Sequence, residues 1–320
     1  MARSTAGARE DSGVRTSTED SDPPVEAPPP AIRSRPVSWA GLWFVLPFAV
    51  LFAVFLLWPT ITGFAYTFTD RSLTGAPAGY IGWSNWTESL TDPAVWSSLW
   101  NTLVFTGLST PPLVLAGLGL ALLTARARRL GWFLRFSFFA PFVLPVAVVT
   151  MIWVWLYQPG FGLVNDTLTG LGLTEVGWLA DERVAMISVV VTTLWWTVGF
   201  NYLLYLAALQ GIPREIYEAA DVDGASGGRK LWSITLPLLR RTTVLVLVLQ
   251  LVASLKIFDQ VYLMTRGGPN FATRPLIQYI YESGFTGFRI GYASAISYLL
   301  FAVIIVFSVV QFRLFSREEV

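Results

Sequence analysis

Residues 184–209 read VAMISVVVTTLWWTVGFNYLLYLAAL, an uncharged run from Val184 to Leu209 that ends at Gly211-Ile212-Pro213-Arg214. A run of this length exceeds the roughly 20 apolar residues that a helix needs to cross a bilayer core. Five other stretches reach the same length, with approximate limits 40–64, 99–124, 134–157, 241–264 and 292–313. The fold expected is therefore an all-α polytopic membrane protein with six transmembrane helices.

Composition agrees. Apolar residues make up 54% of the 320 and charged residues only 13%, with a mean hydropathy of +0.56. A soluble domain carries roughly a quarter of its residues as charges, so lipid must solvate much of this surface. The 14 Trp suit interfacial belts. A net charge of +1 gives no field for nucleic acid, and none is expected as a partner. With no Cys and no His, metal sites built on those ligands, thiol nucleophiles and His-based triads are excluded. A carboxylate-only site stays formally open; no metal and no catalytic residue is expected.

Residues 1–38 are Ser, Thr, Pro, Ala and mixed charges, including Pro28-Pro29-Pro30, and lack apolar periodicity. They read as a disordered tail ahead of a membrane body over 39–320. Pro47, Pro59, Pro111, Pro112, Pro141 and Pro145 fall in or near the first three spans. They mark bends that line a path or ordinary packing, both of which membrane helices tolerate.

Lysine and arginine set the orientation. An inside N-terminus puts Arg33 and Arg35, the group Arg126, Arg128, Arg129 and Arg135, and the group Arg214, Arg229, Lys230, Arg240 and Arg241 in the cytoplasm, with Arg313 and Arg317 at the end. The opposite side then carries Asp70, Glu88, Asp92, Asp166, Glu175, Asp181 and Glu182. Arg266, Arg274 and Arg289, between the last two spans, are the exception. Both termini are expected inside.

The cytoplasmic connection 211–240 is too long for a turn and too short for a domain. Pro213 followed by Glu215 and Glu218 is a helix start, because proline suits the first turn and carboxylates favour the positive end of the dipole. Gly224 supplies a reversal. A second helix is expected over roughly 228–235, ending before Pro237, with Leu231, Trp232 and Ile234 as its apolar surface. Two short helices at a small-residue bend form a knob that either enters a cleft on a soluble partner or rests on the lipid interface. The residues alone leave both readings standing.

Glu218-Ala219-Ala220, then Asp223-Gly224-Ala225, then Ile234-x-Leu236-Pro237 resemble the EAA loop of permease subunits in binding-protein-dependent ABC importers. The resemblance covers the whole motif of about 20 residues at its spacing. It implies a type I importer permease fold in which these residues form a coupling helix seated in an ATP-binding subunit. Gly224-Ala225-Ser226-Gly227-Gly228 also fits a nucleophile elbow, but there is no His to activate Ser226. Nor does the chain hold a Walker A lysine: Lys230 and Lys256, its only lysines, follow Arg229 and Leu255. No cofactor is expected on this chain; ATP and Mg belong to a separate ABC ATPase dimer.

Phe258-Asp259-x-x-Tyr262-x-x-Thr265-x-Gly267-Gly268-Pro269 resembles the carbohydrate-importer branch of that family, in its maltose- and glycerol-phosphate-type first permease. Gly162-Leu163-Val164-Asn165 and Trp178-Leu179-Ala180-Asp181 look like the same branch. The resemblance spans roughly 40–313. It implies a sugar or sugar-like cargo, a second homologous permease subunit, an extracytoplasmic solute-binding protein and a bacterial plasma membrane. Candidate path residues are Gln250 and Ser254 on the fifth span, Asn201 and Tyr202 on the fourth, and the neighbouring Trp195 and Trp196. Lys256 and Asp259, three apart, are expected on one helix face as a polar wall or a structural ion pair. An ion-gradient-driven secondary transporter is the rival reading; it needs coupling-ion carboxylates, and these spans hold almost none.

Overall fold

In the computed structural model, residues 39–75, 77–125 and 131–316 are described. The tail 1–38 and the arginines Arg33, Arg35, Arg126, Arg128, Arg129 and Arg317 lie outside them. The chain divides into two units, Met1–Phe52 and Ala53–Val320. In the first, α1 (Trp39–Phe52) contains Pro47 and stacks Phe48 on Phe52.

In the second, a π-helical turn Ala53–Leu57 leads into α2 (Trp58–Tyr66). Then come α3 (Ser84–Thr91), α4 (Pro93–Ala125), α5 (Gly131–Val143), α6 (Val146–Leu156), α7 (Leu163–Gly170) and α8 (Glu182–Gln210). They are followed by α9 (Arg214–Val222), α10 (Gly227–Lys230), α11 (Leu236–Leu238), α12 (Arg240–Leu255), α13 (Asp259–Met264), α14 (Leu276–Tyr281) and α15 (Ile290–Ser316). Among the described residues the only β pairing is two isolated bridges, Thr69 with Tyr80 and Ser72 with Arg289.

Among the described residues, four stretches are long and apolar enough to cross a membrane: Trp43–Tyr66, Pro93–Ala125, Glu182–Gln210 and Ile290–Gln311. Two further pairs qualify as bent spans, α5 with α6 at 97°, and Gly227–Leu238 with α12 at 60°. Counted this way, the six expected spans are present, two of them broken.

Proline chemistry explains the sharper break. Pro145 has no N–H to give the Pro141 carbonyl, which accepts the N–H of Leu144 instead at 3.1 Å. The carbonyl of Leu144, left outside either helix, accepts the Trp196 indole N–H at 3.2 Å. A neighbouring helix thus satisfies the freed backbone, as an apolar medium demands. Pro111 and Pro112 lie within α4 without interrupting it.

The long helix α4 joins three cores. Phe105 packs with Val189, Ile257 and Val261; Val114 and Ala121 pack with Tyr202, Tyr205 and Val246; Val95 and Leu99 pack with Leu276, Tyr292 and Ile296. Small residues set the closest seams. A Cβ on Gly117 would lie 2.8 Å from Asn201 Cβ, and one on Gly199 only 2.2 Å from the Phe138 carbonyl oxygen. By contrast, Trp43, Phe44, Leu115 and Leu123 face outward, consistent with a lipid environment.

The fifth span departs from expectation. Helix α12 stops at Leu255 and α13 begins at Asp259, with Lys256 and Phe258 in non-helical conformations between them. Lys256 and Asp259 therefore do not share a helix face. The ion pairs Lys230–Asp221, Arg274–Glu282 and Arg289–Glu88 include neither of them.

The same ion pairs account for the arginines that broke the charge pattern. Arg289 grips Glu88 through both guanidinium nitrogens, at 2.7 and 2.5 Å. Arg274 is buried, bonds Ser98 and Glu282, and stacks over Phe271 and Tyr279. Asp92 beside them accepts the hydroxyls of Tyr279 and Tyr292 at 2.5 and 2.6 Å. Each of these two arginines is held against an acidic partner, so its charge is locally balanced. Arg266, the third, is exposed and adopts a φ of 53°.

Candidate functional site: a surface hairpin and an interhelical cavity

The chain leaves α8 at Gly211 and enters a hairpin of helices. Pro213, at φ −58° and ψ 137°, caps α9, whose first turn holds Glu215. Gly224 has a φ of +71°, a left-handed conformation that any side chain would strain. The reversal is closed by Gly224 N–H to the Asp221 carbonyl (3.0 Å) and Ala225 N–H to the Ala220 carbonyl (2.9 Å). Ser226 then caps α10 by accepting the Arg229 N–H.

The second arm does not end before Pro237. It runs from α10 through a π-helical turn, Leu231–Thr235, into α11 and stops only at Leu239. Pro237 comes just after that π-helical turn, inside a helical run that its missing N–H does not interrupt. Two ties cross between the arms: the Lys230–Asp221 ion pair and a 3.0 Å hydrogen bond between Tyr217 Oη and Thr235 Oγ1. Glu218, Ala219, Asp223, Gly224 and Pro237 are exposed, Ala225 and Leu236 half-buried, and Ala220 buried in the hairpin. Trp232 is 72% exposed, whereas Leu231 and Ile234 are half-buried. Val222, 89% exposed beside the turn, was not anticipated.

At the break between α12 and α13 lies a cavity of about 310 Å³. Four of the residues picked from the sequence line it: Gln250, Ser254, Lys256 and Asp259. Trp196 does too. The other three do not. Asn201 is buried and donates its amide to Gln250 Oε1 at 3.3 Å, so it positions a lining residue. Tyr202 is fully buried and its hydroxyl accepts from Thr124 Oγ1 at 3.0 Å, which fixes α4 to α8. Trp195 faces away and packs edge-on against Trp153 at 5.7 Å.

Thr193, Thr197, Phe200, Phe258 and Gln260 also line the wall, beside apolar residues such as Phe105, Phe142 and Leu249, and were missed. Thr193 and Thr197 lie one turn apart on α8, flanking Trp196, and that spacing was the available signal. Gln260 was hidden by reading 241–264 as one helix. Its Oε1 meets Thr193 Oγ1 at 2.8 Å, and Ser254 Oγ meets Thr110 Oγ1 at 3.1 Å. Lys256 stands at the C-terminal end of α12 and Asp259 at the first turn of α13. Each charge therefore faces the helix end whose partial charge suits it. The wall offers amides, hydroxyls, one cation and one anion among aromatic faces. That is a site for hydrogen-bonding a polar solute; among the described residues no cluster of acidic groups could hold a metal.

Residues 113–318 match the family of binding-protein-dependent transport system inner membrane components. The chain belongs to this family. Among similar proteins is the sulfoquinovosyl glycerol transport system permease protein SmoG of Agrobacterium fabrum, 36% identical over 274 residues, which cover 85% of this chain and 89% of that one. The sn-glycerol-3-phosphate transport system permease protein UgpA of Yersinia pestis is 33% identical over 297 residues, 89% of this chain and 98% of its own. Two crystal structures of a bacterial alginate ABC transporter share the fold at 25% identity. One has a TM-score of 0.76 and covers 88% of this chain and 96% of the solved one. The other, in complex with an alginate pentasaccharide-bound periplasmic protein, has a TM-score of 0.77, with 85% and 92% covered. The family permease is thus a multi-pass inner-membrane transport subunit, and its type I importer fold is the one found here.

Proposed function

We propose that this permease moves a sugar or sugar-like solute, such as a di- or oligosaccharide or a glycerol-phosphate derivative, into the cytoplasm by alternating access. ATP is hydrolysed elsewhere, on a dimeric ATPase that binds the nucleotide and Mg, and a second homologous permease completes the pathway. A solute-binding protein delivers the cargo at the outer face of the bacterial plasma membrane. Both termini are cytoplasmic, and residues 39–320 form the membrane body behind the tail 1–38.

The observation that carries this reading is the hairpin Arg214–Leu238. It is continuous with α8 at one end and with α12, whose far end lines the cavity, at the other. Its turn exposes Val222 and its second arm exposes Trp232. A rigid knob with an apolar tip, tied across its arms, transmits a push from a partner into both helices. The cargo class is supported by the sugar-related substrates in the relatives' names and by a cavity walled with amides, hydroxyls and aromatic faces.

Gly224→Asp in the assembled complex tests the coupling role. No atom lies within 4 Å of where its Cβ would stand, so the new side chain has room. The positive φ and the charge at the tip alter the knob itself. The expected outcome is ATP-driven uptake lost by at least about tenfold, given a strain and desolvation cost of roughly 1–3 kcal/mol, with the permease still inserted. Normal uptake in that variant would sink the assignment.

A further inference from the structure

Four aromatic rings run in unbroken contact from the cavity wall to the protein surface. Phe258, which lines the cavity, stacks on Tyr262 with centroids 5.3 Å apart. Both rings meet Tyr281, at 5.5 and 5.7 Å, and Tyr281 stacks on Phe285 at 5.4 Å. Exposure rises along the series. Phe258 and Tyr262 are half-buried, Tyr281 is 36% exposed and Phe285 57%.

The fold holds these rings in line. Phe258, the residue just before α13, stacks on Tyr262 within it, while Val261 and Met264 of the same helix are sealed in the core. Tyr281 ends α14 and Phe285 sits in the π-helical turn after it. That turn is anchored by Glu282, which accepts from Gln278 at 2.8 Å and pairs with Arg274 at 3.3 Å. The Tyr262 and Tyr281 hydroxyls make no hydrogen bond among the described residues, in contrast to Tyr279 and Tyr292 close by, which both bond Asp92.

A row of ring faces with free phenol hydroxyls along its edge matches a pyranose. The sugar's C–H face packs on an aromatic ring, and its hydroxyls exchange hydrogen bonds with the phenols. Continuity with the cavity argues that the row serves the cargo, since its inner ring is already part of the cavity wall. We propose that Phe258, Tyr262, Tyr281 and Phe285 form an aromatic track that passes pyranoside rings between the surface and the cavity; this rests on the carbohydrate-cargo reading.

The test uses the complete transporter in proteoliposomes, with its binding protein, offered maltose, trehalose, sulfoquinovosyl glycerol and glycerol 3-phosphate. Uptake and binding-protein-stimulated ATP hydrolysis are measured together. Tyr281→Leu and Phe285→Leu are each expected to slow pyranoside uptake by about fivefold to tenfold, the worth of one aromatic contact, with stimulated hydrolysis retained. Tyr281→Phe keeps the ring and is expected to lose only about threefold, the worth of one hydrogen bond. Unchanged uptake in the Leu variants overturns the track. So does a parallel fall in uptake and hydrolysis, which would make the rings a subunit or lipid contact. A wild type that imports only glycerol 3-phosphate, which has no ring, overturns the track but leaves the importer intact. A wild type that imports none of the four overturns the cargo reading beneath it.

Discussion

The hairpin and the cavity are both polar interruptions of an apolar body, and they are assembled in opposite ways. The hairpin is local: its cap, turn and cross-ties join residues within 18 positions of one another. The cavity is assembled from a distance. Asn201 reaches Gln250 across 49 positions, Thr193 reaches Gln260 across 67 and Thr110 reaches Ser254 across 144. A local device survives disturbance of the helix bundle, whereas a distributed one exists only while the bundle is packed. The difference suits their tasks. A knob must stay rigid as the bundle rearranges around a solute, and a cavity must be rebuilt each time.

The strongest way to break that contrast is to wedge the seam on which the cavity depends. Gly199→Leu would place a Cβ 2.2 Å from the Phe138 oxygen and 2.9 Å from Phe139 Cα, backbone atoms that cannot swing aside. Helix α5 must then move off α8, separating Phe142 from Trp196 and Phe200 in the cavity wall. The expected cost is at least the roughly 1–3 kcal/mol of an overpacked core, read as a lower unfolding temperature of the purified protein in detergent. Gly107→Leu, whose Cβ would meet nothing within 4 Å, is the control and should be near neutral. Limited proteolysis should find the hairpin unchanged in both. If Gly199→Leu frays the hairpin as well, the two regions are not independent.

Acid provides a milder disturbance, at the polar knot around Asp92. Burial pushes the Asp92 carboxyl up, but hydrogen bonds from Tyr279, Tyr292 and the Ala94 N–H, together with the Arg274 charge, pull it down by more. It titrates below its ordinary value of 3.8. A carboxylate depressed in the folded state contributes stability that is present above its unfolded-state value and is lost as pH falls through the folded-state value. The wild type should therefore lose thermal stability progressively as pH drops below about 4, and Asp92→Asn should show a shallower decline. Parallel curves for the two proteins would show that the knot contributes nothing by charge.

The same contrast explains how much could be read in advance. Six spans, the hairpin's first helix at Pro213 and its reversal at Gly224 all follow from local chemistry, as run length, a proline at a helix start and a glycine where φ is positive. The bend between α5 and α6 was foreshadowed by Pro145, although nothing in the sequence says that the Trp196 indole would satisfy the Leu144 carbonyl. The break after Leu255 was invisible, because 241–264 is apolar enough to pass for one helix and contains no proline or glycine. That error carried over to the site, giving Lys256 and Asp259 a shared face they lack. Asn201 and Tyr202 were chosen for polarity, and polarity cannot distinguish a lining side chain from one that braces a lining side chain. Only the packing of α4 against α8 and α12 makes that distinction.

The smallest effect concerns what holds the hairpin rigid. The Lys230–Asp221 pair is the one charged tie between its arms among the described residues, and the Asp221 side chain is 68% exposed. A pair so open to water contributes little, roughly 0.2–1 kcal/mol, because water and salt screen it and both side chains lose freedom on pairing. Asp221→Ala should therefore lower the unfolding temperature by no more than ~1–3 °C and leave uptake per ATP nearly unchanged. The Tyr217–Thr235 bond and the closed turn at Gly224 remain to fix the angle between the arms. Salt separates this from a structural role: near 1 M, where screening acts within about 3 Å, wild type and variant should converge. Swapping the charges, with Asp221→Lys and Lys230→Asp together, should restore the small difference at low salt. Loss of coupling on Asp221→Ala alone would mean that turn geometry does not suffice, and that the hairpin, like the cavity, depends on a side-chain contact to keep its shape.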